Sequence, residues 1–206
     1  MANEKFLTTV GLALAVVALP LGILNAGAGL VAGIWFIMLG HWSILLNGIL
    51  ALVISSLLIP FAMAPSALVA IGAGAAFERG KRATAFVLIA LGNLWVAAVT
   101  VFWELGVFHF FQRYVDRGFP QTPVWLLAYG VATGVFAWMA NKSREGAARR
   151  SEAAHVAAAQ LAFIIFSICF FWLGWTQAAA VAAMLVPLIL QVALNLLSLG
   201  STIRRQ

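Results

Sequence analysis

Few side chains in this chain could do chemistry, and Glu104 is the most conspicuous of them. It is the only acid in the apolar run from 83 to 108. A carboxylate at the centre of a bilayer costs about 2.5–3.5 kcal/mol on insertion scales, so an acid inside an apolar helix points to an ion, a proton or a partner. Counted from Ala83, Glu104 lies about 30 Å along a helix, which places it at the outer interface beside His109 and Arg113. The expectation is therefore double: an interfacial ion pair, or an ion or proton site. His41 stands in a Gly-His-Trp break, either to hydrogen-bond a carbonyl freed by the broken helix or to sense solutes at the tip of a re-entrant hairpin. Gln191 and Asn195, four residues apart with Pro187 one turn before them, share a helix face that could line a polar route.

Other clusters read as surface or packing features. His109, Arg113 and Asp116 share one face of a short amphipathic extension, an outer-surface patch. Glu104, His109 and Asp116 are competent metal ligands, but their spacings of five and seven match no metal motif, so no metal is expected. Arg149 and Arg150, with His155, belong to a helix that protrudes into the cytosol for lipid headgroups or a docking partner. Gly29 and Gly33, and Gly130 and Gly134, form Gly-x-x-x-Gly pairs suited to close helix packing. There is no Gly-x-Ser-x-Gly, no His-Glu-x-x-His and no phosphate loop, so no catalytic residue and no cofactor is expected. A lipid-active enzyme using Glu104 and His109 as acid and base ranks third among the functional readings.

The elements that must position these residues are set by composition. The 206 residues are 64% hydrophobic and 9% charged, with a net charge of +6, against roughly 45–50% apolar usage in soluble domains. Such a chain cannot cover a water-soluble fold, which excludes a soluble enzyme, a nucleic-acid-binding domain and a disordered tail. The single cysteine, Cys169, allows no intrachain disulfide. The sequence predicts one domain over 1–206, an all-α polytopic membrane bundle. Expected spans are 6–24, treated as a retained helix, 30–59 with a break near 40–43, 61–77, 83–108, 124–140, 156–174 and 178–199.

The N-terminal third is the least determinate part, because positions 6–77 carry no Asp, Glu, Lys or Arg. Breaks are expected at 25–29, 40–43 and 60–65, where Gly, Asn and Pro end helices. Three spans there give seven in all, the preferred count, with the N-terminus outside; two long kinked ones give six. Nine Lys/Arg lie in 78–82, 141–155 and the C-terminal tail, against two in 109–123 and none in 174–177. That asymmetry places the C-terminus in the cytoplasm. Trp103, Trp125, Trp172 and Trp175 at the opposite end, and Trp138 at the cytoplasmic end, are expected as interface anchors.

The functional expectation is a small-solute or ion channel or facilitator in a bacterial inner membrane, contacting lipids and forming a homo-oligomer. The alternative is a non-catalytic subunit of a larger membrane assembly. Reporter fusions check the topology: a reporter joined after residue 118 is expected to read non-cytoplasmic, and one after residue 146 cytoplasmic. The reverse pattern overturns the charge argument.

Overall fold

The computed structural model describes residue 20 and residues 23–24, 27–141 and 147–203, with side chains up to 136 and from 154 to 197. The expected span 6–24 and the side chains of Arg149 and Arg150 lie outside the described residues, apart from the few positions just named. All described secondary structure is helical: α1 (Gly27–Met38), α2 (Trp42–Glu78), α3 (Arg82–Asp116), α4 (Gln121–Asn141), α5 (Ala147–Ser167), which continues as a π-helical turn over Ile168–Trp172, and α6 (Gln177–Ile203). Four stretches are long and apolar enough to cross a membrane: α2, α3, Ala154–Trp172 and Gln177–Leu197.

Each turn between helices among the described residues carries a glycine with positive φ: Gly40 (71°), Gly80 (72°), Gly118 (86°) and Gly174 (66°). A side chain there would meet the following carbonyl, so glycine is the ordinary residue at this position. At the first three, the glycine N–H bonds the carbonyl three residues back and the next N–H the carbonyl five back, as in Gly40 to Ile37 and His41 to Phe36. This closure satisfies carbonyls that the last turn of the helix leaves open. After the π-turn the ladder is one residue wider, with Trp175 N–H on the carbonyl of Cys169. The turns at Gly40 and Gly118 adjoin through His41 and Phe119, whose rings lie 4.8 Å apart. The α5–α6 turn reaches the same end, where Gln177 meets His109 at 3.2 Å. The Gly80 turn, flanked by exposed Glu78, Arg79, Lys81 and Arg82, marks the opposite end.

The break expected at 40–43 is present, but the one at 60–65 is not. Pro60 and Pro65 both lie inside the continuous 37-residue α2, so 30–59 and 61–77 are not separate spans. A proline removes an intrahelical donor and exposes neighbouring carbonyls. Here a side chain from the next helix takes part of the load: Trp95 Nε1 donates to the carbonyl of Ala62 at 2.7 Å. Ser66 Oγ donates to the carbonyl of Met63 at 2.6 Å. Both bonds fall on carbonyls beside Pro65, and neighbouring groups of this kind let a membrane helix carry proline without ending. At about 1.5 Å per residue α2 is about 55 Å long, well beyond the ~30 Å of a hydrocarbon core. The α3 helix likewise outruns its expected span, absorbing the amphipathic segment from His109 to Asp116.

The α4 helix occupies the middle of the bundle. One cluster joins its Val124, Leu127, Ala128, Val131 and Ala132 to the α1 stripe Ala28, Ala32 and Phe36, to Ile44 of α2, Val107 and Phe111 of α3, and Phe163 of α5. Small residues set how closely these helices approach. A Cβ built on Gly130 would lie 3.7 Å from the Cα of Gly29, and one on Gly48 would lie 3.0 Å from a methyl of Leu127. The expected packing role of Gly29 and Gly130 thus has a defined partner, the α1–α4 crossing. A Cβ on Gly33 would lie 3.9 Å from a methyl of Leu45, while Gly134 is partly buried in α4. Overpacking a tight crossing costs about 1–3 kcal/mol, so Gly130→Leu is expected to lower the thermal unfolding midpoint in detergent. An unchanged midpoint would mean that the crossing does not support the fold.

Candidate functional site

Most polar side chains within the helices turn back on their own backbone. Ser55 and Ser56 donate to the carbonyls of Ala51 and Leu52, Asn93 to Ile89 at 2.9 Å, Thr133 to Tyr129 at 2.8 Å and Ser167 to Phe163 at 2.8 Å. Others bond between helices: Asn47 Nδ2 to the Tyr114 hydroxyl at 2.7 Å, and Asn195 Nδ2 to Asn93 Oδ1 at 3.0 Å. Trp103 Nε1 donates to the Ala132 carbonyl at 3.0 Å, which makes this indole a clamp between α3 and α4 instead of an interface anchor. These groups are satisfied and act as packing contacts.

Setting them aside leaves a small set of sealed, unsatisfied atoms. Both carboxyl oxygens of Glu104, both amide atoms of Gln160, Trp125 Nε1 and His155 Nδ1 are buried without a hydrogen-bond partner. Glu104 is 1% exposed. Gln112 Oε1, towards the outer end of α3, is likewise unpartnered; each such group costs about 1–3 kcal/mol when left dry and unpaired, and Glu104, the one acid among them, is the candidate site.

Thr100, Glu104 and Phe108 succeed one another at four-residue spacing along one stripe of α3. At one end of the stripe, Thr100 Oγ1 lies 3.0 Å from His155 Nε2 of α5. The same hydroxyl donates to the Val96 carbonyl at 2.9 Å. Its single hydrogen is therefore committed, and the imidazole must donate from Nε2. The Gln191 amide of α6 lies near this imidazole, and the Phe136 ring packs against it edge-on at 5.7 Å. At the other end, Phe108 stacks on Trp125 of α4 at 5.1 Å and 12° and meets Phe166 of α5 at 4.7 Å. The π-turn brings Phe170 to 5.2 Å from Phe108 and Phe171 to 4.2 Å from Trp125. Since Thr100 and Phe108 contact α5 eleven residues apart in the same direction, α3 and α5 run parallel. Glu104 thus sits between an imidazole edge and an aromatic stack.

The interfacial ion pair expected for Glu104 is not formed. His109 Nδ1 contacts the Leu105 carbonyl at 2.7 Å, and Arg113 donates to the Phe110 carbonyl and lies over the Phe110 ring at 4.9 Å. Asp116 accepts from Gln112 at 2.7 Å. These three belong to the exposed far end of α3, about 7 Å or more along the helix from Glu104. The reason is helical phase: residue 104 faces the α4–α5 side, whereas 109, 113 and 116 turn outward. Among the described residues no three His, Cys, Asp or Glu side chains converge as a metal site would require. His41 lies at the α1–α2 turn against Phe119, apart from Glu104. Gln191 joins the site through His155, and Asn195 meets Asn93 about one turn further along α6.

His155 was the residue most misplaced by sequence. Expected on a cytosolic protrusion, it lies inside the bundle, because α5 presents an inward stripe of His155, Ala158, Ala159, Ala162 and Phe166. That i, i+3, i+4, i+7, i+11 pattern was the available signal. Nothing in the sequence distinguished Trp125 from an interface anchor or Gln160 from a packing residue.

The fold and this site together define an all-α protein with four helices apt to cross a membrane, enclosing one unpaired carboxyl. No family model matches the chain, and no curated protein or solved structure is similar to it at a significant level. The inner edge of the site gives a test of its geometry. Thr100→Val removes the acceptor of the imidazole and is expected to destabilise the protein by about 1–3 kcal/mol. Thr100→Ser should restore most of this loss, as read by thermal unfolding in detergent. Equal stability in all three proteins would show that the pair contributes nothing.

Proposed function

We propose that this protein is a multi-pass membrane protein whose α3, α5 and α6 frame a route for a small solute or ion, with Glu104 as its binding carboxyl. The observation that carries this reading is the carboxyl itself, enclosed among helices with no partner for either oxygen. Acids in such positions are retained for ion or proton pathways, because a purely structural position favours an apolar residue. Polar contacts continue the line. From Glu104 it leads to His155 with Thr100 and Gln191, and then to Asn93 with Asn195. The continuity of α2 supports six crossings in place of seven. The basic residues flanking Gly80 support a cytoplasmic location for that end, and with it for the C-terminus. A bacterial inner membrane is the setting in which we read it.

Reconstitution tests the proposal. Proteoliposomes holding the purified chain are expected to pass an ion or small polar solute at least tenfold faster than protein-free vesicles, and Glu104→Gln to lose most of that flux. Equal flux in wild type and Glu104→Gln would overturn the role of the carboxyl.

A second reading, a subunit of a larger membrane assembly, is favoured by one observation. The α2 helix leaves Leu57, Leu58, Phe61, Leu68 and Ile71 all more than half exposed, a continuous apolar face available to another membrane helix. Vesicles silent to every solute, together with constant co-purification of one other polypeptide, would favour it.

A further inference from the structure

The space around Glu104 narrows what can bind there, given the route just proposed. Between the His155 contact and the Phe108 stack, the smallest buried side chains of α4 and α5 are Ala128, Ala132, Ala158, Ala159 and Ala162, none more than 3% exposed, and Gln160 is fully buried on the same stretch of α5. Ala128 and Ala132 cluster with Val107 and Phe111 of α3, Ala158 and Ala162 with Phe108, and Ala159 with Trp103. Methyl groups on facing helices let those helices approach closely, an arrangement that suits a species of water size better than an organic solute. A groove of about 530 Å³ exists on another face, between Tyr129 and Trp125 of α4 and Phe163 and Phe171 of α5, and Glu104 does not line it. A hard metal cation takes about six or more oxygen ligands, and the unpartnered oxygens of the site are the two of Glu104 and Gln160 Oε1.

The unpartnered atoms bordering the layer complement water instead. Trp125 Nε1 can only donate, a protonated Glu104 donates from one oxygen and accepts at the other, and His155 Nδ1 accepts because the proton is on Nε2. Waters accepting the indole N–H and the acid O–H and donating to the second carboxyl oxygen and the imidazole would satisfy these atoms, and buried waters occupy sites with two to four such partners.

We propose that Glu104 and His155 form a proton relay joined by water in this alanine layer, and that the species bound and passed is the proton. In the transfer the O–H bond of the Glu104 carboxylic acid breaks and its proton passes to water. That water yields a different proton to His155 Nδ1, forming an N–H bond. The products are a carboxylate and an imidazolium protonated on both nitrogens, with no change in oxidation state. The imidazolium then releases its other proton, from Nε2, on the Thr100 and Gln191 side, the neutral ring turns over to restore the Nε2–H form, and Glu104 regains a proton past the Phe108–Trp125 stack. Other titratable groups near the pair are few. The α4 helix contributes Tyr129, the α5 extension Cys169 beyond the aromatic stack, and α3 His109 past the same stack. Helices α1, α2 and the described part of α6 carry no Asp, Glu, Lys, Arg, His, Cys or Tyr within 27–38, 42–77 and 177–203.

Two measurements on the full chain test the relay. Proteoliposomes loaded with a pH-sensitive dye are expected to dissipate an imposed pH step at least tenfold faster than empty vesicles, with Glu104→Gln and His155→Gln each losing most of that rate. Sodium flux and glycerol-driven swelling are expected to stay at the empty-vesicle level. In infrared titration of the wild-type protein, a carboxylic-acid band should change together with imidazole bands, and the acid band should be missing in Glu104→Gln. Sodium or glycerol flux without proton flux overturns the relay and leaves the solute route standing. Silent vesicles with a coupled infrared titration uphold the proton-binding pair and count against the route. A wild-type protein with neither proton flux nor a titrating buried acid overturns the inference, whether or not the variants fold.

Discussion

In hydrocarbon no water is present to bond a free N–H or carbonyl, and the architecture is governed by that constraint. The described turns close on glycines whose bonds occupy the last carbonyls. Beside Pro65 on α2, the Trp95 indole of the next helix bonds the Ala62 carbonyl. Hydroxyls and amides along the spans are turned onto carbonyls three or four residues back, which keeps them from acting as unsatisfied groups. A protein under this constraint has little freedom to leave polar atoms idle. The idle atoms around Glu104 are therefore informative in a way that the same atoms on a soluble protein would not be.

Sequence made the helical class and several turns legible, because each depends on local chemistry: glycine after an apolar run and run length against bilayer thickness. The α5–α6 turn at Gly174 was readable for that reason, whereas α3 was expected to end at 108 and continues to Asp116. Pro60 and Pro65 misled, since a proline need not end a helix that is packed in a bundle, and the indole bonded beside Pro65 is some thirty residues away in sequence. Within the site, Glu104 was legible by type and misjudged by direction. Distance along the helix suggested an interface, whereas the phase of the helix turns the carboxyl toward α4 and α5. His155 was obscured by the arginines just before it. The alanine stripe just after it carried the correct reading.

The site depends on α4, the most enclosed of the helices. It supplies Trp125 to the aromatic stack and Ala128 and Ala132 to the layer beside the carboxyl, while Gly130 lets α1 close over its other face. The π-turn at the end of α5 adds to the same arrangement. One extra residue in the turn rotates the phase of the side chains there, and both Phe170 and Phe171 reach the Phe108–Trp125 pair. Wide turns of this kind are uncommon and often accompany functional sites. Here the turn thickens the barrier between the carboxyl and the nearer end of the bundle.

The length of α2 has a consequence for the surrounding lipid. An apolar rod of about 55 Å does not fit upright in ~30 Å of hydrocarbon, so it must lean, or the bilayer must thicken around it. The 21-residue apolar stretch Gln177–Leu197 of α6, on the outside of the same bundle, asks for little such adjustment. One molecule therefore presents two thicknesses to its annulus of lipid, greater along the α2–α3 hairpin and smaller elsewhere. Such hydrophobic mismatch costs fractions of a kcal/mol per Å. This gives the protein a preference among membranes of different acyl-chain length and a preferred edge from which lipids, or a second long helix, relieve the strain.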